Sequence, residues 1–300
     1  MLLPGTDIRF DELIHPELTE KQVRCWMARL DEIHPVISGN KLFKLHYFLE
    51  EALQSTHKTV LTFGGAYSNH LVATAFAANQ FGLKSIGLVR GGEPEKLSPT
   101  LLNCMDYGMR LHYLPREIYA ALAQNHIGAY TEQQFGPVIL IPEGGASPAG
   151  ARGASLMLPQ LSTLDPTHIC TAVGTATTLA GLLNADHAVS IVGVPVIKGM
   201  TDIPARLDNL LPAVPMRMPL IWDQYHFGGY AKKTEALLDF MNEFYHIHQI
   251  PLDFVYTAKL MYGLMEKVRE GYFKSGDRIV CLHTGGLQGN RSLKEGRLIF

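Results

Sequence analysis

"KTVLTFGGAYSNHLVATAFAA" (residues 58–78) carries the reading on which the fold turns. An apolar, β-branched run from Thr59 to Phe63 meets the pair Gly64-Gly65. Ser68 and Asn69 follow, and then small and apolar residues in a helical pattern. A strand that ends in glycine and passes into a helix is the unit step of a parallel sheet covered on both faces. Ser68 or Asn69 is suited to cap the helix. The glycine pair marks backbone that something must approach closely.

The same step recurs along the chain. Apolar runs end in or near glycine at "KSIGLVRGG" (84–92), "PVILIPEGG" (137–145), "HICTAVG" (168–174), "SIVGVPVI" (190–197) and "RIVCLHTGG" (278–286). Helical patterns such as "EALLDFMNEFYHIH" (235–248) separate many of them. Ligands of such sheets bind at the carboxyl ends of the strands, where these glycines stand. "RGGEPEKLSP" (90–99) reads as a polar loop. "GGASPAGARG" (144–153) reads as a linker, a ligand loop or a hinge.

Composition bounds the rest. A chain of 300 residues, 47% hydrophobic and 18% charged, supports a sizeable core. A net charge of -2 gives no electrostatic case for nucleic acid. No apolar run approaches the roughly 18 residues of a membrane span, and "MLLPGTDIRFDEL" lacks a signal-peptide pattern. Cys25, Cys104, Cys170 and Cys281 are scattered, which fits a reduced, cytoplasmic protein. No HExxH occurs, and no metal site is expected.

"SGNKLFKL" (38–45) opens a helix with Leu42, Leu45, Leu49 and Ala52 on one face. Lys41 stands at its start, where the helix dipole disfavours a cation. "AVGTATTLAGLL" (172–183) is a strand, a run of small and hydroxylated residues, and a helix. It reads as a tight turn or as a phosphate cradle. "CLHTGGLQGN" (281–290) places Thr284 before a glycine pair, and "FVYTAKLMYGLM" (254–265) opens a helix with Tyr256 and Thr257. Met261 and Tyr262 read as packing. A lysine, an asparagine, a phosphate cradle and a threonine at strand ends suit a covalent amine serving a phosphate-bearing carbonyl cofactor.

In this order the motifs resemble pyridoxal-phosphate enzymes of the tryptophan-synthase β-subunit fold (fold type II). Among these they resemble the 1-aminocyclopropane-1-carboxylate deaminase and D-cysteine desulfhydrase family. "SGNKLFKLHYFLEEAL" is similar to that family's GGNKxRKLEYLL segment, and "FGGAYSNH" to its GGxQSNH. "IPEGGASPAGARG" matches its I-P-x-GG-S stretch, and "CLHTGG" its HTGG. The resemblance implies an α/β fold of two open, twisted, mostly parallel sheets flanked by helices, with pyridoxal 5'-phosphate in the cleft between two domains. The smaller domain would be 44–152, inserted into a larger one of 1–43 plus 153–300.

It also implies roles. Lys41 would carry the Schiff base, with Asn40 beside it. Asn69 would meet the cofactor's phenolic oxygen. Gly174, Thr175, Ala176, Thr177 and Thr178 would hold the phosphate. "GTATT" lacks the family's second glycine, which leaves open which amides bind. Ser68, Asn69 and His70 would face the substrate, and Tyr256 and Tyr230 would match two active-site tyrosines. Thr257 matches a glutamate near the pyridine nitrogen in the deaminase branch, and Thr284 a leucine. The desulfhydrase branch has small hydroxyl residues at both. A carboxylate there keeps the nitrogen protonated and the ring a deep electron sink. A threonine gives a shallower sink, sufficient for α-proton removal and loss of a thiolate. The expectation is D-cysteine desulfhydrase-like β-elimination of a small amino acid to pyruvate, ammonia and sulfide, with Lys41 as the base. The alternatives are 1-aminocyclopropane-1-carboxylate deamination and a non-catalytic cofactor-binding protein. A homodimer is the family expectation.

Overall fold

The glycine-ended runs are strands. In the computed structural model, which describes residues 7–124, 127–185 and 188–300, there are strands β1 (Phe10–Glu12), β2 (Arg24–Ala28), β3 (Thr59–Gly64), β4 (Lys84–Arg90), β5 (Met109–Leu114), β6 (Ile139–Ile141), β7 (His168–Val173), β8 (Ser190–Pro195), β9 (Leu220–Ile221) and β10 (Arg278–Leu282). They form a six-stranded sheet, β1-β2-β10-β7-β8-β9, and a four-stranded sheet, β5-β4-β3-β6. Every pairing is parallel except that of β1 with β2. β3, β7, β8 and β10 are buried along almost their whole length, as strands covered on both faces must be.

Four strands escape the sequence pattern. β1 and β9 are too short to show a period. β5 lies at a sheet edge and is only half buried, so its apolar signal is diluted. β2, which spells RCWMA, ends in arginine rather than glycine beyond Ala28.

"GGASPAGARG" is neither a linker nor a free loop. Glu143–Gly145 form a 3-10 turn, and Pro148–Ser155 form a helix. That helix lies against two others, Lys41–Gln54 and Thr177–Leu182. Its small residues allow the approach: a Cβ on Gly153 would stand 2.2 Å from the Phe43 carbonyl oxygen. The lysine helix and the candidate phosphate loop are thereby held against one common support. No helix among the described residues is long and apolar enough to cross a membrane.

Candidate active site

Gly39 and Asn40 seat Lys41. Gly39 has φ +76°, and a Cβ there would overlap the Thr284 carbonyl oxygen at 1.9 Å. Only glycine allows this close crossing of the Lys41 helix and the loop after β10. Asn40 does not cap the helix through its side chain. Its amide donates to Thr178 Oγ1 at 2.7 Å and accepts from Lys41 Nζ at 2.7 Å. It therefore ties the lysine to the 174–178 loop. Burial pulls the Lys41 ammonium down to about 8, against the attraction of Asp253. The cation at the helix start is thus an amine close to releasing its proton at neutral pH.

Lys44, one turn on, is a site residue that the motif reading missed. It is 5% exposed, and burial, then the charge of Lys41, hold it well below the ordinary lysine range. Its ammonium makes no hydrogen bond or ion pair among the described residues. It lines a cavity shared with Asn40, Lys41, Gly174 to Thr178, Tyr256 and Thr284. A buried cation without a counter-charge is costly and calls for an anion. The available clue in the sequence was a second lysine among Leu42, Phe43, Leu45 and Phe48, on a helix that is otherwise buried there.

The loop facing Lys44 is built to receive that anion. β7 ends at Val173, and the Thr177–Leu182 helix begins four residues on. Ala176 takes the left-handed conformation, φ 66°, at the step where the family pattern has glycine freedom. The amides of Thr175 to Thr178 donate no hydrogen bond to any other described residue. The hydroxyls of Thr175 and Thr177 bond each other at 2.8 Å.

From the other sheet come Ser68, Asn69 and His70. Ser68 caps the Asn69–Gln80 helix, accepting from the Leu71 amide at 3.2 Å, so its own hydroxyl proton stays available. Asn69 Oδ1 is buried and has no partner. Its amide nitrogen would lie 2.8 Å from a Cβ on Gly286, so this motif meets the loop after β10 across the two sheets. His70 is 3% exposed, and its ring faces the backbone of Pro142. Burial, then Lys41 and Lys44, push it down to about 3, so it is a neutral imidazole. Like Ser68 and Asn69, it is not among the residues lining the cavity.

Tyr256 lies against Gly174, where a Cβ would come within 3.2 Å of its ring. Its hydroxyl donates to that of Tyr230 at 3.4 Å, and Tyr230 is 46% exposed at the mouth. The two threonines differ from each other. Thr284 lines the cavity, and its hydroxyl is unbonded among the described residues. Thr257 is fully buried and outside the cavity lining. Its hydroxyl accepts from the Asp253 amide and donates to Asp253 Oδ2, both at 2.8 Å. The Asp253 carboxylate also accepts from the amides of Val255, Tyr256 and Thr257. Thr257 is therefore part of the cap of the Thr257–Arg269 helix, with its proton committed, and Thr284 alone offers a free hydroxyl. Asp253, unmarked in the motif reading, is the anion that acts on Lys41.

An unpartnered Asn69 amide, an uncompensated Lys44 and open amides at Thr175 to Thr178 fit a cofactor with a phosphate, a ring hydroxyl and an aldehyde. Comparison with known proteins agrees. The family model described as pyridoxal-phosphate dependent enzyme matches residues 13–285. A relative from Pyrococcus abyssi, named "Putative 1-aminocyclopropane-1-carboxylate deaminase", is 31% identical over 90% of this chain and 86% of its own. The D-cysteine desulfhydrase of Salmonella choleraesuis is 28% identical over 90% of this chain and 89% of its own. A crystal structure described as an ACC deaminase homologue superposes with TM-score 0.81 at 29% identity, covering 97% of this chain and 92% of that one.

Proposed function

The chain belongs to the pyridoxal-phosphate dependent enzymes, and from that premise we propose a lyase that eliminates the β-substituent of a small amino acid, as D-cysteine desulfhydrase does, releasing pyruvate and ammonia. The carrying observation is the unbonded hydroxyl of Thr284 in the cavity, with Thr257 turned away and held by Asp253. No carboxylate lines that cavity among the described residues. A neutral hydroxyl against the ring nitrogen gives a modest electron sink, which suits a substrate with an α-proton and a good leaving group.

When bound, pyridoxal phosphate supplies an aldehyde carbon for an amine and a ring that draws electrons from the substrate's α-carbon. Lys41 would hold that carbon, Lys44 and the amides of Thr175 to Thr178 the phosphate, the Asn69 amide the ring oxygen, and Thr284 the ring nitrogen. Asn40 aims Nζ of Lys41 through a 2.7 Å hydrogen bond. Its lowered proton affinity suits it to take the α-proton and return one to the leaving group. Ser68 offers a donor to the substrate carboxylate while remaining an acceptor for Leu71. Tyr256 and Tyr230 close the outer side and keep water from the reacting carbon. The proposal includes 44–152 as a small domain, supported by a four-stranded sheet drawn wholly from residues 59–141.

The second reading is 1-aminocyclopropane-1-carboxylate deamination, favoured by the name of the Pyrococcus abyssi relative. Cofactor-loaded protein given D-cysteine or the cyclopropane amino acid separates the two. Pyruvate and sulfide from the first substrate are expected. 2-Oxobutyrate from the second, with no pyruvate from the first, overturns the proposal.

A further inference from the structure

The four-stranded sheet sets one unpaired cation and one unpaired anion on either side of the loop leading to Ser68 and Asn69. β4, β3 and β6 are adjacent and parallel, so their carboxyl ends share one edge. Gly64 pairs with Val89, and Thr62 with Ile141. Continuing each register puts Arg90 level with Gly65 and Glu143 level with Gly64. At about 4.8 Å per strand, the two backbones stand roughly 10 Å apart across the glycine pair.

Tyr119 lies against both, with Glu143 at its phenol and Arg90 beside its ring. A Cβ on Gly65 would lie 3.5 Å from an Arg90 guanidinium nitrogen, so Arg90 reaches back over the loop. Its guanidinium stands 5.7 Å from the centroid of the Tyr119 ring. Glu143 is followed by Gly144, where a Cβ would come within 3.0 Å of Thr175 in the phosphate loop. Arg90 and Glu143 are both exposed, and neither side chain forms an ion pair among the described residues. Burial raises the phenols of Tyr119 and Tyr230, and on both Glu143 adds to that rise while Arg90 opposes it. Both charges therefore act at the mouth beside Tyr230.

Isolated surface charges ordinarily signify little. These two flank the substrate-facing loop at the carboxyl edge of parallel strands, where ligands bind. A compact amino acid has one ammonium and one carboxylate, and both are used at the reacting end. A purely anionic side chain would satisfy Arg90 and be repelled by Glu143. A leaving group ending in its own amino-acid head satisfies both.

We infer that the preferred substrate is a thioether amino acid whose leaving group ends in a second ammonium and carboxylate, the carboxylate on Arg90 and the ammonium on Glu143. This rests on the elimination reading above. The α C–H bond breaks with its proton passing to Lys41. The Cβ–S bond breaks with its electron pair going to sulfur, which then takes up a proton. One water is consumed, and the products are pyruvate, ammonia and a free amino-acid thiol.

The test uses cofactor-loaded protein and three substrates in both α-configurations: an S-methyl thioether, one with a distal carboxylate only, and the bis-amino-acid thioether. Pyruvate release is expected with kcat/KM at least about tenfold higher for the bis-amino-acid than for the S-methyl compound. Arg90→Gln and Glu143→Gln should each cut that preference about tenfold, mainly through KM. Calorimetric binding of the analogue with methylene in place of sulfur should weaken in the same two variants. Equal turnover of all three substrates, preference for the distal carboxylate alone, or a preference unmoved by either variant overturns the inference. Pyruvate from none of them overturns the elimination reading and this substrate with it, whereas pyruvate released without regard to the distal head overturns this inference alone.

Discussion

Lys41 shows how far burial moves a single group. Below pH about 8 the folded apoprotein must hold a charged ammonium in a cavity. Above that it holds a neutral amine, while the unfolded chain keeps the proton up to about pH 10.4. The unfolded state then binds more protons, so this residue's contribution to stability rises between those values. Lys41→Met should therefore abolish the bound-cofactor absorbance and turnover yet raise the melting temperature of the apoprotein at pH 7, with the gain shrinking towards pH 10. Melting curves of both apoproteins across that range check the sign; a gain that grows with pH would contradict it. Thr257 and Thr284 divide by the same logic of partners. Thr257→Val removes a donor to a buried carboxylate and an acceptor from a buried amide, and should cost about 1–3 kcal/mol with the substrate ratio preserved. Thr284→Leu should shift the ratio of elimination to ring opening with little loss of stability. Denaturant midpoints and paired keto-acid assays on both variants decide, and a ratio moved by Thr257→Val alone would place the wrong threonine in the site.

At the scale of elements, the Pro148–Ser155 helix is the support that keeps the lysine and the phosphate loop in register. In an exposed helix, glycine to alanine stabilises by roughly 0.5–1 kcal/mol. At Gly153 the added methyl would collide with the Phe43 backbone, so Gly153→Ala should instead destabilise by about 1–3 kcal/mol and weaken cofactor binding. Gly128, exposed in the Ile127–Phe135 helix with open space around its Cβ position, is the matched control and should show the ordinary gain. Urea titrations of the two variants and a cofactor titration of Gly153→Ala test this. Opposite signs are the expectation, and a stabilised Gly153→Ala would mean that the helices are not in close contact.

The cavity is lined by Gly144, which follows β6 of the four-stranded sheet, and by residues that follow β7 and β10 of the six-stranded one, so a cofactor bound there should act as a structural tie as well as a reagent. A ligand that binds only the folded chain at one hundred times its Kd stabilises it by about 2.7 kcal/mol. For a chain of this size that corresponds to a melting temperature about 4 °C lower after the cofactor is stripped. Calorimetry before and after stripping, then on reconstitution, should show a reversible fall. An unchanged transition would mean that the cofactor does not bind the folded chain in preference to the unfolded one, and the tie would fail with it. At this scale the division of knowledge is clear. Strand identity and the parallel α/β class were legible in the sequence, because burial on both faces and glycine at strand ends are local patterns; Lys41, Thr284 and the 174–178 loop were singled out by family resemblance, and the fold brings them to one cavity. The burial of Lys44, the capture of Thr257 by Asp253, and the placing of Arg90 and Glu143 on either side of Gly64-Gly65 were not. Lys44 depends on a missing partner, and Arg90 and Glu143 on the register of neighbouring strands; Asp253 is only four residues from Thr257, but whether that turn folds back on itself or opens to the cavity is decided by the packing around it. Charge, hydrogen bonding and desolvation act through space, and only the tertiary structure decides which groups share it.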